Sequence, residues 1–88
     1  MHAVVFEVDM KDGWEKKVDQ ELDFLVGSLR ELPGFTRGTW LTDGHVGVSL
    51  VVFESKEVAQ QVADSAFLPP DASATLRSAR ALDVVREA

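Results

Sequence analysis

The residues of this chain that could do acid–base chemistry are few. His45 directly follows the dipeptide Asp43-Gly44 and could act as a general base or hydrogen-bond a ligand. Glu7 lies within the apolar segment HAVVFEVD, where a carboxylate enclosed by hydrophobic residues could also act as a base. The chain has no cysteine and no tyrosine, which excludes thiolate and phenol chemistry. His45 and Glu7 are therefore the predicted catalytic residues.

Three residues of the segment 35–54 could hold a small molecule. Arg37 interrupts an apolar strand face, where it could anchor an anionic or enolate-like substrate. Trp40 offers an aromatic ring and one N–H donor, and Thr39 shares the strand face of Arg37. Arg37, Thr39 and Trp40 are the predicted substrate-binding residues. The alternatives are a solvated His45, an Arg37 paired with a helix carboxylate, a Glu7 paired with Arg80 or Arg37, and a Trp40 packed in a dimer interface.

Charge and composition exclude several classes of partner. The net charge is −6 and no basic cluster is present, so nucleic acid is not an expected partner. His2 and His45 have no acidic partners at metal-ligand spacing, and no metal site is predicted. The first ten residues are too short and too acidic for a signal peptide, and no stretch could span a membrane. We expect a cytoplasmic protein.

Hydrophobic periodicity predicts the first two elements. Residues 2–9 form a strand with apolar residues on both faces. Asp12 and Glu15 form a capping-box pattern that predicts the start of a helix, and Pro33-Gly34 predicts its end. The helix carries an apolar stripe at spacings of three and four, formed by Trp14, Val18, Leu22, Leu25, Leu29 and Leu32.

The segment 35–54 is predicted to be a hairpin with a two-residue turn at Asp43-Gly44. This turn would pair Thr42 with His45, Trp40 with Gly47, Gly38 with Ser49 and Thr36 with Val51. We expect the surface with Arg37 and Thr39 to face the helices, and the surface with Trp40 to form a dimer interface.

Ser55 is a good N-cap for a second helix, from Lys56 to about Ala66, and residues 78–87 are predicted to form the last strand. The order is β-α-β-β-α-β, which predicts an α+β, ferredoxin-like domain over residues 1–88. It consists of a four-stranded antiparallel sheet with two helices on one face, and strands one and three are central. Since the helices cover one face only, we expect a homodimer through the other sheet face.

Two stretches of sequence support a family resemblance. The Leu32-Pro33-Gly34-Phe35 junction and the run from Leu50 to Glu57, LVVFESKE, resemble the dimeric α/β-barrel superfamily, in particular proteins related to antibiotic biosynthesis monooxygenases. The resemblance covers nearly the whole chain. It implies a relationship to cofactor-independent oxygenases, haem-degrading oxygenases, and small isomerases or decarboxylases.

The haem-degrading branch uses a histidine near its second helix and an asparagine. Residues 55–70 contain no histidine, and the chain contains no asparagine. Haem chemistry is therefore not expected. Cysteine, a flavin signature and metal-ligand spacing are also absent, so no cofactor is expected. The leading hypothesis is a cofactor-independent oxygenase that acts on a small aromatic or hydrophobic molecule. The alternative is a non-catalytic dimerisation or ligand-binding module.

Overall fold

The computed structural model describes residues 1–88 as one four-stranded antiparallel sheet and two helices. The elements in chain order are β1 (His2–Met10), a short 3-10 turn (Trp14–Lys16), α1 (Val18–Arg30), β2 (Phe35–Thr42), β3 (Val46–Phe53), α2 (Lys56–Asp64) and β4 (Ala74–Asp83). The strand order is β2-β3-β1-β4. This confirms the predicted ferredoxin-like α+β fold with the first and third strands in the centre. Neither helix is long and apolar enough to cross a membrane.

The start of α1 differs from the prediction. The chain turns at Gly13, where φ is 78°, and then forms a single 3-10 turn. Lys17 has a φ of −139°, which separates this turn from α1. No side chain caps either start, so the capping box at Asp12 and Glu15 is wrong. The predicted stop is confirmed, since α1 ends at Arg30 and the chain turns at Gly34, where φ is 78°. α2 begins as expected, with the hydroxyl of Ser55 accepting from the Val58 N–H.

β4 begins four residues earlier than expected. Its first residue, Ala74, pairs with Met10, so β1 and β4 pair along the whole of β1. The register shifts between Glu7 and Val8, where a bulge in β4 accommodates an extra residue. The predicted start at Ser78 lies at this bulge, which interrupts the simple alternation on which the prediction relied.

The β2–β3 hairpin has a wider loop than the predicted two-residue turn. The Asp43 carboxylate accepts hydrogen bonds from the N–H groups of His45 and Val46 at 2.8 and 3.0 Å. The Val46 and His45 hydrogen bonds lower the pKa of Asp43 below its ordinary value of 3.8.

This loop moves the pairing of β2 and β3 by two residues. Trp40 pairs with Ser49 rather than Gly47, and Gly38 pairs with Val51 rather than Ser49. The predicted pairs are therefore wrong. A shift of two residues keeps a side chain on its original sheet face, because the side-chain period of a strand is two. Phe35 is the exception, since an irregularity between Phe35 and Arg37 places it on the core face beside Phe53.

The core lies between the helices and the sheet face that carries Trp40. Val4, Val51 and Phe53 are fully buried there, and the ring of Phe35 packs edge-on against Phe53 with centroids 6.0 Å apart. The helices contribute the buried residues Leu29, Ala59 and Ala63. The predicted assignment of the two faces is thus reversed. Counting apolar residues on each face misled the prediction, because Gly38 and Gly47 leave space on the core face for the bulky side chains of Trp40 and Val8.

The two helices pack unequally. α2 packs closely on β1, β4 and β3 through small side chains, with Ala59 fully buried. α1 contacts β2 more than any other strand, and of its predicted apolar stripe only Leu29 is buried. Leu25 is 37% exposed and Phe24 is 80% exposed. Space therefore remains between α1 and the edge strand β2.

The other sheet face is open along β2 and β3 and partly covered by the C-terminal tail, residues 84–88. The Val84 N–H donates to the Met1 carbonyl at 3.0 Å, and the Glu87 carboxylate reaches Arg37 on β2 at 2.6 Å. The tail must therefore cross the ends of β1 and β3, which agrees with the burial of Ala3 and Val52. Leu41, Val48 and Leu82 are 59, 36 and 45% exposed.

Candidate functional site

A cavity of about 480 Å³ lies between α1 and the edge strand β2. It is lined by Val26, Arg30, Phe35, Thr36, Arg37, Gly38 and Trp40. We call this space the α1–β2 cavity. Its walls combine aromatic and aliphatic surface with Arg30, and Arg37 borders it with its guanidinium paired to Glu87 on the open face. No carboxylate lines it.

Trp40 contributes its indole ring to the cavity. The ring lies against Gly38, so close that a Cβ on Gly38 would be 2.6 Å from Cη2 of the indole. The indole Nε1 is buried and has no hydrogen-bond partner, which costs about 1–3 kcal/mol. Because protein atoms enclose Nε1, the cavity does not expose this donor to a bound molecule.

The two arginines of the cavity differ in their pairing. Arg37 lies on the edge strand and pairs with Glu87 at 2.6 Å, with the two side chains 45 and 33% exposed. Arg30, in the last turn of α1, has no carboxylate within ion-pairing distance. Arg30 is therefore the one charged residue bordering the cavity that has no ion-pair partner.

The predicted catalytic residues do not line this cavity. His45 lies exposed in the β2–β3 loop. Glu7 lies half-buried on the open sheet face, where its carboxylate accepts from the Ser78 hydroxyl at 3.2 Å and lies 3.9 Å from the Arg80 guanidinium. Of the alternatives for Glu7, the pairing with Arg80 is the one observed.

Only two of the three predicted binding residues border the cavity. Trp40 reaches it from the core face, and Arg37 borders it from the edge of the sheet. Thr39 is exposed on the open face and does not line it. Arg37 pairs with the C-terminal tail and not with a helix carboxylate. Sequence reasoning missed Arg30. Its spacing of four residues from Val26 places both on one helix face, but only the position of α1 beside β2 makes that face a cavity wall.

A second cavity of about 330 Å³ lies under the α2–β4 loop at the opposite end of β1. Its walls include Phe67, Leu68 and Pro69. The Lys11 ammonium donates to the Pro70 carbonyl at 2.6 Å, which occupies the one charged group of this cavity. This space offers a ligand no charged group without a partner.

Protein-family models and curated proteins provide no match to the chain. The fold does match solved structures of MhuD, a haem degrader from Mycobacterium tuberculosis. MhuD with two haems bound in its active site has a TM-score of 0.73 and 18% identity, covering 100% of this chain and 99% of MhuD. An arginine-to-serine mutant of MhuD, with two manganese protoporphyrin IX molecules bound per active site, has a TM-score of 0.65 and 18% identity, covering 100% of this chain and 98% of the mutant.

At this identity the likeness concerns the fold. It extends over the whole of both chains, and it confirms the predicted resemblance at the level of architecture. The chain has the ferredoxin-like βαββαβ fold that it shares with the haem degrader MhuD.

Proposed function

We propose that this protein binds a small aromatic or hydrophobic molecule in the α1–β2 cavity. The observation that carries the proposal is the cavity itself, whose wall includes Phe35 and Trp40. A volume of about 480 Å³ also suits a small organic molecule, since such sites are usually about 300–1,000 Å³. Phe35 and the Trp40 ring supply aromatic surface on which a planar molecule can stack.

Haem is the first ligand to test against these residues, because the MhuD structures contain haems. Haem iron is usually held by histidine, cysteine, methionine or tyrosine, and none of these lines the cavity. His2 pairs with Asp83 at 2.9 Å, and His45 lies in the β2–β3 loop. The residues present do not fit a site for haem iron. We therefore propose an organic ligand without iron and no cofactor.

Binding without catalysis is the form that the geometry favours. A cofactor-independent oxygenase must remove a proton from its substrate, and the cavity contains neither an imidazole nor a carboxylate. Oxygenation remains the second candidate, because the fold is shared with a haem degrader. It requires a base such as the predicted His45 or Glu7 to reach the substrate, and both assignments stay predictions.

Fluorescence and melting temperature test the binding proposal. In a Trp14→Phe background Trp40 is the only indole, because the chain has two tryptophans. A panel of naphthols, quinols and polyphenols should include a molecule that changes Trp40 emission and raises the melting temperature. Trp40→Phe should weaken binding of that molecule, whereas Trp14→Phe should not. A panel that changes neither signal contradicts the proposal. Oxygen consumption with the bound molecule would identify the oxygenase form.

We further propose that two copies associate through their open sheet faces. Leu41, Val48 and Leu82 expose hydrophobic surface on this face, and the helices lie on the opposite face. A stable dimer of this kind buries roughly 1,500 Å² in total. Sedimentation at micromolar concentration should give the mass of two chains. The mass of one chain would refute the dimer without affecting the cavity.

A further inference from the structure

We propose that the C-terminal tail, residues 84–88, is an autoinhibitory strap that competes with a second copy of the chain for the open sheet face. The ion pair between Glu87 and Arg37 holds the strap in place, and its release uncovers one end of that face. This inference rests on the proposed association through the open faces, and it adds to that association a control by the chain's own tail.

The path of the tail leads across the sheet from β4 to β2. β4 ends at Asp83, and the next residue extends the pairing with β1, since the Val84 N–H donates to the Met1 carbonyl at 3.0 Å. Three residues later the Glu87 carboxylate lies 2.6 Å from the Arg37 guanidinium on β2, the strand at the opposite edge of the sheet. The tail therefore passes the ends of both central strands.

The residues beneath this path show that the tail covers one end of the open face. Ala3 and Val52 pair with each other on the two central strands, and both side chains lie on the face away from the helices. Ala3 is nevertheless only 5% exposed and Val52 is fully buried. Further along the same face, Leu41 and Val48 are 59 and 36% exposed. The tail thus already occupies part of the surface proposed to receive a second copy.

A second copy cannot pack over this end of the face while the tail is in place. Two sheets that pack face to face are about 10 Å apart, and their side chains fill that distance. A peptide segment between the sheets would occupy the same space. Association must therefore displace the tail or leave the surface above Ala3 and Val52 out of the interface, and in both cases the tail lowers the affinity.

The ion pair is the contact that keeps the tail on the sheet. β4 and β2 are three strand spacings apart, or about 14 Å, whereas residues 84–87 span at most about 11 Å when extended. The long side chains of Glu87 and Arg37 supply the remainder, so the tail is nearly extended and is held by its end. Val85 is 94% exposed, and the Val84 hydrogen bond is the other polar contact of the tail with the sheet.

This latch is weak enough to open. The side chains of Arg37 and Glu87 are 45 and 33% exposed, and ion pairs exposed to solvent contribute little to stability. The effect on association is amplified, because each dimer must release two tails. If the face is free in one tenth of the molecules, the apparent dissociation constant of the dimer rises about hundredfold, since the free fraction enters once for each copy.

Sedimentation equilibrium over a concentration series tests the strap. A chain that ends at Asp83 should dimerise with a dissociation constant at least about tenfold lower than that of the full chain. Glu87→Gln keeps the length of the tail and removes its charge, so it should lower the constant about threefold. Glu57→Gln is the matched control, since it makes the same change at an exposed position on α2, and it should leave the constant unchanged.

Two further variants connect the effect to the latch and to the open face. Arg37→Glu combined with Glu87→Arg rebuilds the pair with exchanged charges, and it should return the dissociation constant from that of Glu87→Arg alone toward that of the full chain. Leu41→Glu in the chain that ends at Asp83 should give the mass of one chain, because the uncovered face is the one that associates. A dimer that persists in this variant would overturn the inference.

The outcomes separate the strap from the association on which it rests. If the full chain dimerises and removal of the tail leaves the dissociation constant unchanged or raises it, the strap is wrong while the association stands. If only the shortened chain dimerises, the strap is supported. If neither dimerises, the strap and the association are both wrong, and ligand binding in the α1–β2 cavity is unaffected. Circular dichroism checks the fold, and if the shortened chain does not fold, Glu87→Gln and the exchanged pair decide.

Discussion

Gly38 lies against the indole ring of Trp40, and Gly38→Ala tests whether this contact shapes the cavity. A Cβ at this position would be 2.6 Å from Cη2 and 2.8 Å from Cζ3 of the ring. Carbon atoms pack comfortably at about 3.5–4.0 Å, so the ring must move by about 1 Å. Phe53 and Val51 are fully buried on the core side of the ring, and the free volume lies toward α1. We therefore expect the ring to move into the cavity.

The cost follows from overpacking. Inserting a methyl group into a well-packed site costs about 1–3 kcal/mol. Replacing glycine by alanine also lowers the conformational entropy of the unfolded chain, which stabilises the fold by about 0.4–1 kcal/mol. The net loss in unfolding free energy is therefore about 1–2 kcal/mol, and binding in the cavity should weaken at the same time. The φ of Gly38 is not positive, so the backbone tolerates alanine and the effect comes from the ring contact.

Urea denaturation followed by circular dichroism measures the stability. Titration with the molecule found in the panel, followed by Trp40 emission in the Trp14→Phe background, measures binding in the cavity. Gly27→Ala is the control, since a Cβ at this position on α1 meets nothing within 4 Å. It should stabilise the chain by up to about 1 kcal/mol through helix propensity and leave binding unchanged. A Gly38→Ala variant with wild-type stability and wild-type binding would show that the indole does not lie against Gly38, which would refute the reasoning.

Three further predictions concern the unpaired donor, the open face and the hairpin loop. Trp40→Phe should change the unfolding free energy by less than about 1 kcal/mol, because removal of the unpaired Nε1 offsets the loss of ring contacts. The urea midpoint measures this change, and a loss above about 3 kcal/mol would contradict the prediction. Leu41→Glu places a charge on the open face, so sedimentation should give the mass of one chain while binding in the cavity stays intact. A dimer that persists in this variant would contradict the prediction. The Asp43 pKa is lowered in the fold, so its stabilisation is present above pH 3.8 and is lost as the pH falls through the lowered value. Asp43→Asn should reduce the loss of stability in this acidic range, measured by urea midpoints from about pH 2 to about pH 6; an unchanged pH dependence would contradict it.

Local signals in the sequence predicted the fold because they agree with the tertiary structure. Pro33-Gly34 ends the first helical region, and the Ser55 hydroxyl caps α2. β1 and β3 carry apolar residues on both faces, which indicated that they are central. Backbone capping, proline geometry and alternation act over a few residues, so they can be recognised without the rest of the chain.

The candidate site could be predicted only in part, because it depends on contacts between residues that are far apart in the chain. Trp40 and Arg37 were identified, and both line the cavity. Arg30 was missed because its importance depends on the proximity of α1 to β2, which its neighbours in sequence do not encode. Glu87 was missed because the tail crosses the sheet to reach Arg37, 50 residues earlier in the chain.

The order of the elements and the identity of the central and edge strands follow from local sequence patterns, as do the faces of the hairpin residues other than Phe35. Which face meets the helices depends on long-range packing. Both faces carry enough apolar residues for a core, and the choice depends on fit, since Gly38 lets the Trp40 ring lie flat where α1 and α2 pack. The same fit leaves open space between α1 and β2, and that space, lined by Phe35 and Trp40, is the candidate site.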